Sequence, residues 1–141
     1  MICVIRIKGD AGLNKKIKET LSRLRLRRKY SCIILNKKEE QLGMIKKVRD
    51  FVAFGELDEK TLESLIKKRG LLINKKKTKH KIEEVIKGLG EGQNLQSFNL
   101  KPFFRLHPPR KGIESKKHFG VGKGVLGDNK NKINELVERM L

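Results

Sequence analysis

The sequence LGMIKKVRDFVAFGE, residues 42–56, contains the two patterns from which the architecture of the first part of this chain can be inferred. At 100° per residue, its first half places four apolar side chains on one side of a helix and Gly43, Lys46 and Lys47 on the other. Glycine inside a helix costs about 1 kcal/mol relative to alanine. Close approach of a phosphate backbone, flanked by the two lysines, would offset that cost. The alternative is a surface helix with an incidental glycine and solvated lysines.

Three apolar strands and two helices alternate over residues 1–56. The strands are MICVIRIK (1–8), SCIILN (31–36) and FVAF (51–54), and we expect Gly55 to end the third. The first strand is apolar on both faces, which is typical of an interior strand. Asp10 is expected to cap the first helix. The order β-α-β-α-β predicts an α+β fold, a two-layer sandwich with two helices on one face of a three-stranded sheet, ferredoxin-like and related to the split βαβ motif.

Helical periodicity dominates residues 57–99, which we interpret as a helical extension of the core formed by residues 1–56. One short apolar stripe ends at Gly70 and a second ends at Gly90, with a further helical turn predicted at Leu95–Phe98. Residues 100–127 show no periodicity and contain all three prolines, so residues 100–141 are predicted to be a basic extended segment followed by a C-terminal helix from about Asp128. The apolar stripe of that helix is Ile133, Leu136, Val137 and Met140.

The charge of the chain points to a polyanionic partner. It carries 35 Lys and Arg against 16 Asp and Glu, for a net charge of +19 and a pI near 10.2. The net charges of residues 1–56, 57–100 and 101–141 are +9, +4 and +6, so the basic surface belongs to the fold and not to one tail. A polyanion would relieve the self-repulsion of such a surface.

Five cations lie within residues 23–29, where the first helix ends. One or two of them would complement the helix dipole. Five, followed by a strand that must be buried, favour a clamp on an anionic partner. In the C-terminal segment Phe103, Phe104 and Phe119 alternate with basic residues, and each phenylalanine could stack on a base or pack on the core. Packing is the better interpretation for two of the three.

Several functional classes find no support in the sequence. Cys3 and Cys32 lie in apolar strands and are expected to be free buried thiols, which is typical of a reducing, cytoplasmic compartment. No apolar run approaches the roughly 18 residues of a membrane span, and no signal-peptide pattern is present. The letters G-x-G-x-x-G occur at residues 122–127, but a dinucleotide site needs a preceding strand and a βαβ unit. No metal-ligand spacing, cofactor motif or catalytic motif appears.

Three blocks together resemble a known family: LSRLRLRRKYSCIIL (21–35), LGMIKKVRDFVAFGE (42–56) and FFRLHPPRKGIESKKHFGVGKGVLG (103–127). The chain resembles the universal large-subunit ribosomal protein L-thirty family, in its longer archaeal form, which is related to the eukaryotic protein L-seven. Residues 1–56 are similar to the short bacterial member, and the remainder to the archaeal and eukaryotic extension. Forms with two glycines are common in the family at 110–113, where this chain has RKGI.

The resemblance implies an antiparallel three-stranded sheet, no catalysis, and embedding in large-subunit rRNA beside other large-subunit ribosomal proteins, with no membrane and no small-molecule substrate. Arg and Lys would neutralise phosphates, and shape would position the protein. The predicted RNA contacts form three groups: Arg23, Arg25, Arg27, Arg28 and Lys29; Gly43, Lys46, Lys47 and Arg49; and Arg105, His107, Arg110, Lys111, Lys116, Lys117, His118 and Lys123.

Two other functions stay open at this point. A small RNA-modifying or processing enzyme could use the same basic surface, and it would require a catalytic constellation in a pocket. A free-standing RNA chaperone or DNA-binding protein would be compact without its partner. We expect residues 100–127 to order chiefly on RNA, because fixing a residue's backbone costs about 1–2 kcal/mol and this segment has little apolar surface to bury. Docking of the C-terminal helix would tether both ends and leave the middle, residues 114–124, mobile.

Overall fold

The computed structural model describes residues 1–77, 80–113, 115–122 and 124–141, and for Ser115 and Lys116 it describes the backbone alone. The strands are β1 (Ile2–Arg6), β2 (Ser31–Leu35), β3 (Val52–Glu56), β4 (Phe104–Arg105), β5 (Ser115–His118) and β6 (Gly124–Asp128). The α-helices are α1 (Lys15–Arg23), α2 (Glu39–Lys47), α3 (Glu59–Arg69), α4 (Ile82–Gly90) and α5 (Ile133–Met140). Short 3₁₀ helices span Leu95–Phe98, as predicted, and Lys130–Lys132. The β-α-β-α-β order of residues 1–56 is confirmed.

The strands form one sheet of order β4-β2-β1-β3-β6-β5. At its centre β1 pairs antiparallel with both β2 and β3, as the resemblance implied. Strand β4 adds antiparallel to β2, while β6 runs parallel to both β3 and β5. The prediction of a three-stranded sheet is therefore wrong. The added strands come from the segment without periodicity, where strands of two to five residues, some rich in glycine, leave no alternating pattern to detect.

Both faces of the sheet are covered, so the predicted two-layer sandwich is also wrong. On one face Val4 and Val52 pack with Leu21 of α1 and Ile45 of α2. On the other face residues of β1 and β2 pack with apolar residues of α3, α4 and α5; these include Cys3, Ile5, Cys32, Leu65, Val85 and Val137. The cause is visible in β1, which is buried at every position. A strand with two apolar faces needs a layer on each.

Gly55 lies inside β3 and does not end it, contrary to the prediction. A Cβ atom at this position would collide with the carbonyl oxygen of Lys130 and with the side chain of Ile133. The segment entering α5 therefore crosses β3 where only glycine leaves room. The apolar stripe of α5 is buried along its whole length, as predicted, although α5 begins at Ile133 and follows a 3₁₀ turn.

The two cysteines are free and fully buried, as predicted. Their Sγ atoms lie 3.2 Å apart across β1 and β2. The hydrogen bond to Cys3, together with burial, raises the pKa of the Cys32 thiol. In the described ranges, every helix is too short or too polar to cross a bilayer.

Candidate nucleic-acid interface

The loop that follows α1, residues 24–30, alternates between buried and exposed side chains over its first four residues. Leu24 and Leu26 are buried, whereas Arg25 and Arg27 are exposed. We call residues 24–30 the arginine loop. Its first turn has the geometry of a Schellman helix end, because the Leu26 amide donates to the Leu21 carbonyl (2.8 Å) and the Arg25 amide to the Ser22 carbonyl (3.0 Å). Arg25 occupies the left-handed position, φ 63°, where glycine is usual.

A buried arginine fixes the arginine loop to the sheet. Arg6 of β1 is 2% exposed, and its Nη1 donates to the carbonyl oxygen of Leu26 at 3.0 Å. Its Nε donates to the Lys8 carbonyl at 2.9 Å, and its Nη2 to Asp10 Oδ1 at 2.6 Å. The guanidinium also lowers the pKa of the Asp10 carboxyl through this hydrogen bond and through its charge. The arginine loop is thus held in one position before any ligand arrives.

This role of Arg6 is not evident from the sequence. A single basic residue in a strand gives no sign that its side chain is buried, and the Leu26 acceptor lies 20 residues away along the chain. The prediction that Asp10 caps α1 is wrong, and the same contact explains why. Its carboxylate is bonded to Arg6, and the cap is Asn14, whose Oδ1 accepts from the Ile17 amide at 2.9 Å.

The arginine loop faces β4 across a cleft. Arg105 lies opposite Ser31 in the β2–β4 register, which brings its side chain to the arginines of the loop. The cleft has a volume of about 600 Å³, and we call it the arginine cleft. It is lined by Arg25, Arg27, Arg28, Ser31, Ile73, Gln96, Pro102, Phe103 and Arg105, with no acidic residue among them. The first predicted group of RNA contacts and one member of the third therefore meet at one site.

The arginines of the cleft differ in how far the fold already uses them. Within the described part of the chain, the side chains of Arg25, Arg27 and Arg28 make no hydrogen bond or ion pair. Arg105 lies over the ring of Phe103, 5.6 Å from its centroid. Outside the cleft, Arg23 pairs with Glu19 at 2.7 Å on the exposed surface of α1. At least three guanidinium groups are therefore available to an anion.

The remaining residue of the first group, Lys29, is exposed and lies over the ring of Tyr30, with Nζ 5.0 Å from the ring centroid. It does not line the arginine cleft.

The second predicted group lies on α2 as expected. Ile45 and Val48 are buried against the sheet, whereas Gly43, Lys46 and Lys47 are exposed. Apart from the chain neighbours and the backbone of the same helix, no atom of the described residues lies within 4 Å of the position that a Cβ of Gly43 would take. The glycine is therefore not required by packing within the chain, which agrees with close approach of an external partner. Arg49 is also exposed, just beyond the helix.

Apart from Arg105, the described members of the third group are spread from the C-terminal end of α5 to strand β5. The five remaining members whose side chains are described are exposed: His107, Arg110, Lys111, Lys117 and His118. Arg110 donates Nη2 to the carbonyl of Glu138 at 3.2 Å, near the end of α5, and His118 Nε2 lies 2.7 Å from Asp50 Oδ1. The structure does not bring this group into the arginine cleft. The side chain of Lys116 and the whole of Lys123 lie outside the described residues.

Lys111 lies in residues 110–113, where the sequence departs from the pattern of the family that it resembles. Its φ is 67°, and that of Gly112 is 70°. Both residues of this turn therefore adopt the left-handed conformation that glycine tolerates without strain. Glycine at both positions would relieve the strain of the left-handed conformation at Lys111.

The three phenylalanines have different environments. Phe104 is fully buried in the core, so packing is its role. Phe103 and Phe119 are half-buried, and each has a cation near its ring: Arg105 at 5.6 Å and Lys132 at 6.0 Å from the respective centroids. Phe103 also lines the arginine cleft, whereas Phe119 lies near α5.

Several known proteins are similar to this chain over nearly its whole length. The model of the family described as Ribosomal protein L30p/L7e matches residues 2–52. Proteins named Large ribosomal subunit protein uL30 match almost the whole chain: that of Methanococcus maripaludis strain C5 is 39% identical, covering 98% of this chain and 97% of its own length. Those of Nanoarchaeum equitans and Archaeoglobus fulgidus are each 40% identical, covering 100% and 99% of this chain and 99% of their own lengths. The chain belongs to the ribosomal protein L30p/L7e family.

Proposed function

We propose that this protein is a structural constituent of the large ribosomal subunit in the cytoplasm. It binds and stabilises large-subunit rRNA, contacts other large-subunit proteins, and takes part in translation and subunit assembly. The names of relatives about 40% identical over nearly the full chain support this role. The observation that carries it is the arginine cleft, where Arg25, Arg27, Arg28 and Arg105 converge without an acidic neighbour.

Arginine suits this role because its planar guanidinium presents donors that match phosphate oxygens in pairs. Each phosphate neutralised also releases condensed counterions, which supplies much of the affinity. In the arginine loop the backbone is already fixed by the Arg6 contact to Leu26. Less conformational entropy is then lost on binding, so the loop acts as a preorganised clamp.

The exposed face of α2 provides a second contact in this proposal. Gly43 allows the RNA backbone to approach, and Lys46 and Lys47 flank it with ammonium groups. Residues 1–56 form the RNA-binding core. Residues 57–99 and 100–141 cover its second face and contribute Arg105 to the cleft.

The cations of residues 107–118 would make peripheral contacts with RNA or with neighbouring proteins.

The alternative of an RNA-modifying or processing enzyme gains nothing from these observations. The arginine cleft is lined by guanidinium, amide, hydroxyl and apolar groups, and it holds no carboxylate, histidine or thiol for acid–base or nucleophilic chemistry. We therefore propose a binding role without catalysis.

Co-sedimentation with the large ribosomal subunit through a moderate-salt wash tests the proposal. Binding of the purified chain to large-subunit rRNA should also depend steeply on salt. If about 6–10 phosphates are neutralised, affinity should fall roughly 10³- to 10⁵-fold between 50 and 200 mM salt. Loss of the protein in the wash together with a flat salt response would contradict the role.

A further inference from the structure

The arginine cleft is lined by apolar side chains as well as by guanidinium groups. Ile73, Pro102 and Phe103 stand among the four arginines. Ile73 is 51% exposed, an unusual position for a large aliphatic side chain on a surface otherwise rich in charge. An A-form RNA helix presents phosphates and ribose hydroxyls to a protein. It offers no apolar group that would fill these positions.

We infer that the arginine cleft takes an unpaired nucleotide of the RNA. Its phosphates lie on the arginines and its base lies against Ile73, Pro102 and Phe103. The inference rests on the proposed function. It narrows the RNA feature that the cleft binds from a duplex backbone to a bulged or looped-out nucleotide. The cleft volume of about 600 Å³ is in the range of sites that enclose small ligands, about 300–1,000 Å³.

A second cavity adjoins the arginine cleft, at the place where the next nucleotide of the RNA would lie. It has a volume of about 300 Å³ and shares Arg25, Gln96 and Pro102 with the arginine cleft. The lining includes Gln41, whose Oε1 atom is buried and has no hydrogen-bond partner in the described part of the chain. A buried acceptor without a hydrogen-bond partner favours a donor from outside the chain. The amino group on the edge of a neighbouring base is a donor of this kind.

The experiment uses the full chain and three RNA hairpins of equal length and charge. One is an uninterrupted duplex, one carries a single bulged 2-aminopurine, and one carries an abasic bulge. The bulged base should improve affinity about 5- to 150-fold over both other hairpins, the range that stacking of one base gives. Its fluorescence should change on binding. Equal affinity for all three hairpins would overturn the inference and leave the proposed function intact, whereas binding to none would overturn both.

A matched pair of variants places the base in the cleft. Ile73→Ser should reduce the preference for the bulged hairpin about 3- to 10-fold, because half of one aliphatic side chain loses its apolar contact. Leu71→Ser changes a residue that is 42% exposed, two positions away and outside the cleft. It should leave the preference unchanged. Equal effects of the two variants would overturn the assignment to this cleft.

A competition assay separates RNA from an acidic protein as the occupant. Polyglutamate at a matched concentration of charge should displace the bulged hairpin no better than it displaces the duplex, because it offers no base to the apolar side chains. Selective displacement of the bulged hairpin would indicate that the cleft recognises an acidic peptide, and the inference would fall.

Discussion

The arginine loop and the basic segment of residues 107–118 are similar in charge but differ in what the fold does with their cations. In the arginine loop the backbone is fixed by the hydrogen bond from Arg6 to the Leu26 carbonyl. The exposed guanidinium groups of Arg25 and Arg27 make no hydrogen bond or ion pair within the described residues. In the second region Arg110 donates to the carbonyl of Glu138, and His118 is bonded to Asp50. The number of cations in a segment therefore does not measure its capacity for phosphate. Cations already used by the fold are less available.

The two regions also differ in how their backbones are held. The amide of Tyr30 donates to the carbonyl of Arg6 at 2.7 Å, so the arginine loop is bonded to the central strand of the sheet. The second region is tethered by the amides of His107 and Arg110, which donate to the carbonyls of Met140 and Arg139 at the end of α5. Beyond that tether, β5 lies at the edge of the sheet. Edge elements open by local fluctuation, whereas central elements open with the whole fold.

Hydrogen exchange on the isolated protein should show the largest contrast. Amides of Cys32 and Ile33 in β2 should exchange at least about 10³-fold more slowly than those of Lys117 and His118 in β5, because central strands exchange through global unfolding and edge segments through local opening. Added rRNA should protect β5. Equal protection of β2 and β5 without RNA would contradict the expectation that residues 114–124, which include β5, are mobile until RNA binds.

Removal of cations from the arginine cleft should have the largest effect on affinity. The triple variant Arg27→Ala, Arg28→Ala and Arg105→Ala should lose at least about 10³-fold in rRNA affinity, since hydrogen bonds to charged groups contribute a net of about 1.5–3 kcal/mol each. The measurement is a filter-binding titration at fixed salt.

The matched control for that triple variant changes Lys15, Lys16 and Lys18, three exposed cations of α1 outside the cleft, to alanine. The loss of charge is the same. A similar loss of affinity in both triple variants would mean that net charge, and not the cleft, determines binding.

Arg6→Met should test whether the arginine loop needs its anchor. It removes the donors to the carbonyls of Leu26 and Lys8 and should lower the free energy of unfolding by about 2–4 kcal/mol, because buried acceptors lose charged partners. Urea denaturation measures this change. Affinity of the folded fraction for rRNA should fall as well. Asp10→Asn is the control, because it leaves the buried guanidinium in place and changes an exposed side chain; a stability loss equal to that of Arg6→Met would place the anchor at the ion pair instead.

The sequence predicted the elements of residues 1–56 and the apolar stripes of α3, α4 and α5. The helices bury one periodic face each, and the central strand β1 is a continuous apolar run buried at every position. The sequence did not predict β4, β5 and β6. Their pairing depends on residues far along the chain, as where Arg105 meets Ser31, and so does the close approach of Lys130 that requires Gly55. Local periodicity carries no information about such contacts.

The candidate site was predictable in composition and not in geometry. Runs of basic residues identified the arginine loop and the exposed face of α2. The convergence of Arg105 on the loop follows from the β2–β4 pairing, and the anchoring role of Arg6 follows from burial. The resemblance to a family supplied the partner, but it did not distinguish free cations from those bonded within the fold.

The double variant Lys46→Ala and Lys47→Ala should weaken rRNA binding about tenfold, because two phosphate contacts at an exposed helix face are lost. Its melting temperature should stay close to that of the parent protein, since both side chains are exposed. Gly43→Ala and Gly43→Glu sharpen the test. Alanine should stabilise the helix by about 1 kcal/mol, and glutamate should reduce affinity far more than alanine does. An unfolded double variant with unchanged affinity per folded molecule would show that the face is assigned wrongly.

The smallest expected effect is also the one that separates stability from binding most cleanly. Arg25 holds the left-handed conformation at the end of α1, at φ 63°, which costs an ordinary residue about 1 kcal/mol relative to glycine. Arg25→Gly should therefore leave the free energy of unfolding unchanged or raise it by up to about 1 kcal/mol, while rRNA affinity falls because one guanidinium leaves the cleft. Lys111→Gly relieves the same strain at φ 67° in the second region and should raise stability similarly with a smaller loss of affinity. Paired urea denaturation and filter binding measure both quantities. If Arg25→Gly lowers stability, the left-handed conformation at Arg25 is not a source of strain. If Lys111→Gly costs as much affinity as Arg25→Gly, the arginine loop is not the stronger phosphate site, and the contrast between the two regions fails.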